Sequence, residues 1–136
     1  MVRAGKLLVI RRSATVVAPL AYCFPGGGIE GDESEEAALV RELREELNVE
    51  VQPLCRLWQS ETPWEVELAW WMAELPPHVE PLPNPHEVHS CAWQSIEEML
   101  ALEGLLDSNR QFLAALERGE FRLEGRPPSA ADGTAD

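Results

Sequence analysis

Residues 25–49 read PGGGIEGDESEEAALVRELREELNV, and this stretch decides the fold. Pro25-Gly26-Gly27-Gly28 must break any strand that enters it, because proline removes a hydrogen-bond donor and glycine admits backbone conformations closed to other residues. From Ser34 to about Leu47 the chain is rich in Glu, Ala, Leu and Arg, so a helix is predicted there. Ser34 is placed to cap its first turn and Asn48 to take a left-handed exit. With an advance of about 100° per residue, Val40, Leu43 and Leu47 share one side with Glu36 near its edge, while Glu42, Glu45 and Glu46 fall together on the opposite side. Like charges three and four positions apart repel by a few tenths of a kcal/mol per pair. A hard cation relieves that repulsion, and oxygen-only ligands suit Mg²⁺ or Mn²⁺, with substrate phosphates completing the shell. Acidic residues are common on solvated helix faces, so Glu-x-x-Glu-Glu alone carries little. The glycine turn in front of it changes the reading, since its exposed backbone groups can approach a metal or a phosphate closely.

Outward from this stretch, Lys6-Leu7-Leu8-Val9-Ile10 followed by Arg11-Arg12 reads as a buried strand ending at the surface, and residues 20 to 24 as a second strand. Val49 to Trp58 and Trp64 to Leu75 are expected to be strands joined by a turn at Thr62-Pro63. Between 76 and 85 lie Pro76, Pro77, Pro81, Pro83 and Pro85, a density compatible only with a long loop. Val88 to Trp93 reads as a last strand, with Ser95 capping a helix through Leu102 and Ser108 capping another over Asn109 to about Arg118. No internal repeat is visible.

At 136 residues one domain is expected over 1–125, with 126–136 a small, polar, disordered tail. The net charge of −13 disfavours a polynucleotide partner, because the average surface field repels a phosphate backbone. A small phosphorylated substrate stays admissible if bound cations invert the local potential. No stretch approaches the roughly 20 apolar residues of a membrane span and no secretory signal is visible, so a cytoplasmic protein without a membrane partner is expected. Cys23, Cys55 and Cys91 are scattered and odd in number, which suggests buried free thiols and neither disulfides nor a CxxC metal site.

Gly27, five residues, Glu33, seven residues, then Arg41-Glu42-Leu43-Arg44-Glu45-Glu46-Leu47-Asn48-Val49 resembles the signature of the Nudix hydrolases (MutT-like). Every fixed position of that signature is met except its last glycine, which is Asn48 here, the next-best residue for a left-handed exit. The resemblance implies an α/β fold, the Nudix-type α/β/α sandwich with a mixed sheet between helices. It implies Glu42, Glu45 and Glu46 as metal ligands, with the backbone of Gly27 or Gly28 nearby, Gly27 on the metal side and Gly28 facing substrate. Glu33 and Arg41 would support the loop and helix by pairing within the motif. The implied activity is Mg²⁺- or Mn²⁺-dependent cleavage of a diphosphate bond in a nucleoside diphosphate linked to a further group, as in a nucleoside triphosphate, a nucleotide sugar or a dinucleoside polyphosphate. For the general base, Glu42 and Glu46 compete with Glu87 and, behind it, Glu65 or Glu67; Glu87 follows the proline-rich loop, which could close over a substrate. A non-catalytic nucleotide-binding or regulatory protein of the same fold is the alternative, and it predicts a damaged glutamate set.

Weaker signals surround the motif. His86-Glu87-Val88-His89 lacks the spacing and helical context of a zinc site and reads as solvated loop. Arg11 and Arg12 stand where the resemblance places substrate, and phosphate contact and plain surface charge are equally good readings of them. Most of the five tryptophans are expected in the core, with Trp70 and Trp71 on opposite faces of one strand. Proteins similar to this one have a strand before Lys6, and Met1 to Gly5 is short for it. Either that edge strand is vestigial, or a second copy covers the edge in a homodimer.

Overall fold

A computed structural model describes residues 1–123. The tail expected over 126–136 lies outside the described residues. The element order is β1 (Val2–Arg3), β2 (Lys6–Arg12), β3 (Tyr22–Cys23), α1 (Glu35–Leu47), β4 (Gln52–Glu61), β5 (Glu67–Glu74), β6 (Val88–Gln94), α2 (Ile96–Leu100) and α3 (Asp107–Glu117).

Leu7, Leu8, Val9 and Ile10 are all buried, and the period of two along β2 divides them between two cores. Leu8 and Ile10 pack with Leu43 and Leu47 of α1, together with Val49, Val51, Ala73, Leu75 and Val88. Leu7 and Val9 pack on the other face with Met99 of α2 and Phe112 and Leu113 of α3. The layers are therefore α1, sheet, and α2 with α3, the α/β sandwich expected. A strand covered on both faces reads as an unbroken apolar run, and β2 does.

β2 is also the hub of the larger sheet. β6 pairs antiparallel along one edge from Leu7↔Gln94 to Arg12↔Val88. The opposite edge is shared by β1 over Lys6 and Leu7 and by β3 over Ile10 and Arg11. β4 and β5 form a separate antiparallel hairpin. The parallel component is an isolated bridge between Tyr22 and Leu105. The first strand, β1, is two residues long and turns back through Ala4 and Gly5, both at positive φ as a tight hairpin requires.

α1 begins and ends where its caps predict. The Ser34 hydroxyl accepts from the Ala37 N–H, and Asn48 is left-handed at φ 57°. Its core stripe differs from expectation. Leu39, overlooked in the periodicity, packs against the core, so the stripe is centred nearer Glu46 and Glu46 itself is buried. Glu36 is exposed. α2 has the Ser95 capping box but stops at Leu100. α3 starts at Asp107 with Leu106 as N-cap, and Ser108 lies inside it. The Leu106 N–H donates to the Tyr22 carbonyl at 3.0 Å, so pairing with β3 sets the helix entry and no side-chain cap does. β4 starts and stops three residues later than predicted because Val49 and Val51 are a buried connection from α1 rather than strand, and β5 starts three residues later and stops one earlier than predicted.

The proline-rich loop is strapped down and does not stand open as a lid. The last four carbonyls of a helix lack intrahelical donors. Here Arg44 O accepts from Asn48 N, Glu45 O from Asn84 Nδ2, Glu46 O from Asn84 N and Leu47 O from Leu82 N. At the loop's other end Arg3 donates to the carbonyls of Pro76 and Val79. Trp70 stacks on Phe112 with centroids 4.8 Å apart, whereas Trp71 donates to Glu35 on α1, so the two occupy opposite faces as expected. Trp64 is the exception to the core reading, being 81% exposed in the β4–β5 turn. All three cysteines are free, Cys23 buried and Cys55 and Cys91 half-buried. Among the described residues no helix is long and apolar enough to cross a membrane.

Asn48 combines a left-handed backbone with a 2.7 Å bond from Nδ2 to the Leu82 carbonyl. Asn48→Ala loses both compatibilities and is expected to destabilise by about 2 kcal/mol in urea unfolding, against less than about 1 kcal/mol for Asn48→Gly, which loses only the side-chain bond.

Candidate functional site

The site is assembled by three segments that meet beside α1. The first is the glycine turn after β3. Phe24 N donates to the Oδ1 of Asn109, a residue only 3% exposed on α3, which fixes the chain as it leaves the strand. Gly26 follows at φ 146°, and its N–H donates to Glu46 Oε1 at 2.9 Å. Gly27 lies directly against the Glu42 carboxylate, where a Cβ would overlap it. At Gly28 a Cβ would meet nothing; its contribution is the carbonyl, which accepts from Arg41 Nη2 at 2.8 Å.

The second segment is α1. Its glutamates grade from solvent to core: the side chain of Glu45 is 46% exposed, that of Glu42 12%, and Glu46 as a whole 6%. Arg41 runs along them. Its guanidinium makes a two-pronged pair with Glu33 at 2.6 and 3.0 Å, and Nη1 also reaches Glu42 at 3.0 Å, Glu45 at 3.2 Å and Glu30 at 3.6 Å. The hydrogen bonds from Arg41 hold the Glu33 carboxyl below its ordinary range. Burial raises that of Glu42 despite Arg41. Burial also pushes Glu46 up to about 8, opposed by the Gly26 N–H and by Arg12 and reinforced by Glu42 and Glu87. A carboxyl whose folded-state affinity for protons is raised withdraws stability as pH climbs from the ordinary Glu range to that value. The chain is thus weakened as pH rises through that window by the carboxyls buried at this site.

The third segment is the end of the proline-rich loop, which delivers Glu87. Ser13 N–H donates to the Glu87 carbonyl and the Ser13 hydroxyl to that of His86, while Asn84 accepts from Glu87 N. One carboxylate oxygen each from Glu42, Glu45 and Glu87 then lies within 4.8 Å of the others, the one such cluster among the described residues. Glu46 stands behind this trio, near enough to Glu42 and Glu87 to be raised by their charges.

Of the other candidates, Glu65 lies exposed in the β4–β5 turn and Glu67 exposed at the start of β5; neither joins the cluster. His86 and His89 are both exposed, His86 in the loop as expected and His89 on β6. Arg12 Nε donates to Val17 O at 2.6 Å and Arg11 Nε to Leu20 O at 3.1 Å, with Arg11 also over the Tyr22 ring, so both brace the loop from 13 to 21. Gly26, Asn84 and Asn109 were missed. Asn109 had a signal, a polar residue three and four positions before the apolar Phe112 and Leu113 and so on the buried stripe of α3.

Residues 1–116 match the family model for the NUDIX domain. The chain belongs to the Nudix hydrolase family. It is accordingly an enzyme acting on phosphorus anhydrides, and the intact glutamate set gives no support to a non-catalytic relative. A Nudix hydrolase of Deinococcus radiodurans is 33% identical over 130 residues, which cover 88% of this chain and 73% of that protein. The CTP pyrophosphohydrolase of Escherichia coli K12 is 50% identical over 48 residues, 35% of this chain and 36% of that one. The solution structure of the E. coli ORF135 protein superposes with a TM-score of 0.66 at 28% identity, covering 85% of this chain and 82% of that one.

Because the nearest atoms to a methyl at Gly27 are those of the Glu42 carboxyl, the far end of a flexible side chain, Gly27→Ala of this Nudix hydrolase should fold normally while displacing that carboxylate. The expected result is a fall in kcat/KM of about a hundredfold, the usual penalty for misplacing a working group by an ångström, with a change in Tm of less than about 3 °C.

Proposed function

We propose that this Nudix hydrolase is a Mg²⁺- or Mn²⁺-dependent pyrophosphohydrolase that cleaves a diphosphate bond in a nucleoside diphosphate linked to a further group. The observation that carries the reading is the convergence of Glu42, Glu45 and Glu87 within 4.8 Å. The donor set is all oxygen and anionic, which fits a hard divalent cation and fits zinc or a soft metal poorly. Without such a cation, a chain of net charge −13 would present a polyphosphate with a cluster of like charges. A bound cation supplies positive charge to polarise phosphoryl oxygens and to acidify water.

The chain's own residues divide the remaining work. Glu42, Glu45 and Glu87 hold the cation. Glu46, outside the trio but buried beside it and oriented by the Gly26 N–H, accepts the proton of the attacking water. Arg41 keeps Glu42 and Glu45 in place and locks the Glu30–Glu33 turn to the helix. Arg12, whose charge acts on Glu46, and Arg11 beside it at the end of β2 are the contacts proposed for substrate phosphates.

Nucleoside triphosphates, nucleotide sugars and dinucleoside polyphosphates all contain the bond in question. Similarity over 48 residues to a CTP pyrophosphohydrolase favours trying pyrimidine nucleoside triphosphates first. Product release across these classes with Mg²⁺ or Mn²⁺ should show turnover of at least one, abolished by EDTA. Glu46→Gln should lower kcat by about 10² to 10⁴ with Mn²⁺ affinity retained, as loss of a general base does. Glu45→Gln should weaken Mn²⁺ binding. Turnover that survives chelation would contradict the cation reading, and loss of Mn²⁺ affinity in Glu46→Gln would return that residue to the ligand set.

A further inference from the structure

We infer that Asn84 is a positioning residue that ties the outlying carboxylate Glu87 to the glutamates of α1, so that the four-residue span from Asn84 to Glu87 acts as part of the cation site. The inference rests on the proposed role of Glu87 as a cation ligand.

Two of the three clustered carboxylates, those of Glu42 and Glu45, share one rigid helix. Glu87 comes from a loop distant in sequence, and a carboxylate on an unanchored loop would be driven away by two like charges. Asn84 opposes this with its backbone and its side chain at once. Its N–H donates to the Glu46 carbonyl at 2.9 Å, and Nδ2 donates to the Glu45 carbonyl at 3.1 Å. On the other side, its main-chain carbonyl accepts from Glu87 N at 2.9 Å and Val88 N at 2.8 Å, and Oδ1 accepts from His86 N at 3.2 Å. One residue thus grips the main chain of Glu45 and Glu46 with its donors and the main chain of 86–88 with its acceptors. The path from the Glu45 backbone to the Glu87 backbone passes through a single side chain and its own peptide. Asparagine is required for both halves: aspartate lacks the Nδ2 donor and would set a negative charge at the negative end of the helix dipole.

Capping α1 would by itself explain a stability role, so the test must separate capping from positioning. Mn²⁺ binding to the intact chain, followed by electron paramagnetic resonance, is measured for Asn84→Ala, Asn84→Asp, Glu87→Gln and the double variant Asn84→Ala/Glu87→Gln, with Tm for each. The backbone bonds of Asn84 persist in Asn84→Ala and Asn84→Asp, so folding is retained. Asn84→Ala is expected to weaken Mn²⁺ binding roughly tenfold, as loss of a residue supporting a ligand does, and Asn84→Asp at least as much. In the Glu87→Gln background, Asn84→Ala should have no further effect on affinity while still lowering Tm. If Glu87→Gln weakens binding but Asn84→Ala does not, or if the two losses simply add, the positioning role is wrong and Asn84 is only a cap. If Glu87→Gln leaves Mn²⁺ affinity unchanged, the cation reading of Glu87 fails and the role of Asn84 falls with it.

Discussion

The guanidinium of Arg41 is the constraint on which the site depends. Five carboxylates, Glu30, Glu33, Glu42, Glu45 and Glu46, crowd one turn and one helix, and Arg41 reaches the first four of them. A planar fork of fixed donors suits this task as a lysine would not, because it can pair two-pronged with Glu33 while Nη1 and Nη2 still serve Glu42 and the Gly28 carbonyl. Its single positive charge cannot neutralise all of them. The balance of negative charge is left facing outward at Glu42, Glu45 and Glu87, where a divalent cation would complete the neutralisation.

Rigidity around that charge comes from the two cores on either side of β2. Leu43 and Leu47 are fully buried against Leu8 and Ile10, so α1 cannot roll to relieve its own repulsion. The C-terminus of the same helix recruits the proline-rich loop through its unpaired carbonyls. The need of a helix end for donors is thereby what brings the third carboxylate to the other two. On the far face, Asn109 reaches from α3 to Phe24 and fixes the start of the glycine turn that in turn holds Glu46.

Much of this was legible in the sequence, and the boundary follows the range of the interactions. Ser34, Asn48 and Ser95 act within a few residues of themselves, so their caps could be read directly. The pairing of Glu33 with Arg41 came with the motif. An apolar stripe through Val40, Leu43 and Leu47 alone puts Glu46 on the side opposite the core; adding Leu39 moves its centre and puts Glu46 at the buried margin. Ser108 looked like a cap because its local chemistry is that of a cap, yet the pairing of Leu106 with Tyr22 decided where α3 begins. Prolines from 76 to 85 announced a loop but carried no sign of where it docks, since docking depends on Asn84 meeting carbonyls almost forty positions away. For the same reason Glu87 could be suspected and its meeting with Glu42 and Glu45 could not be derived.

On the proposed reading, this chain folds around a concentration of negative charge that a divalent cation would complete. Thermal unfolding of the metal-free protein at pH 8.5, as roughly the point where Glu46 is ionised, tests it without reference to any substrate. Mg²⁺ should raise Tm in a saturable way and by more than NaCl of equal ionic strength, since binding to the folded state alone adds RT ln(1 + [Mg²⁺]/Kd) to its stability. A Tm that responds to Mg²⁺ and to matched NaCl alike would mean that the carboxylates are merely screened, and would contradict the account.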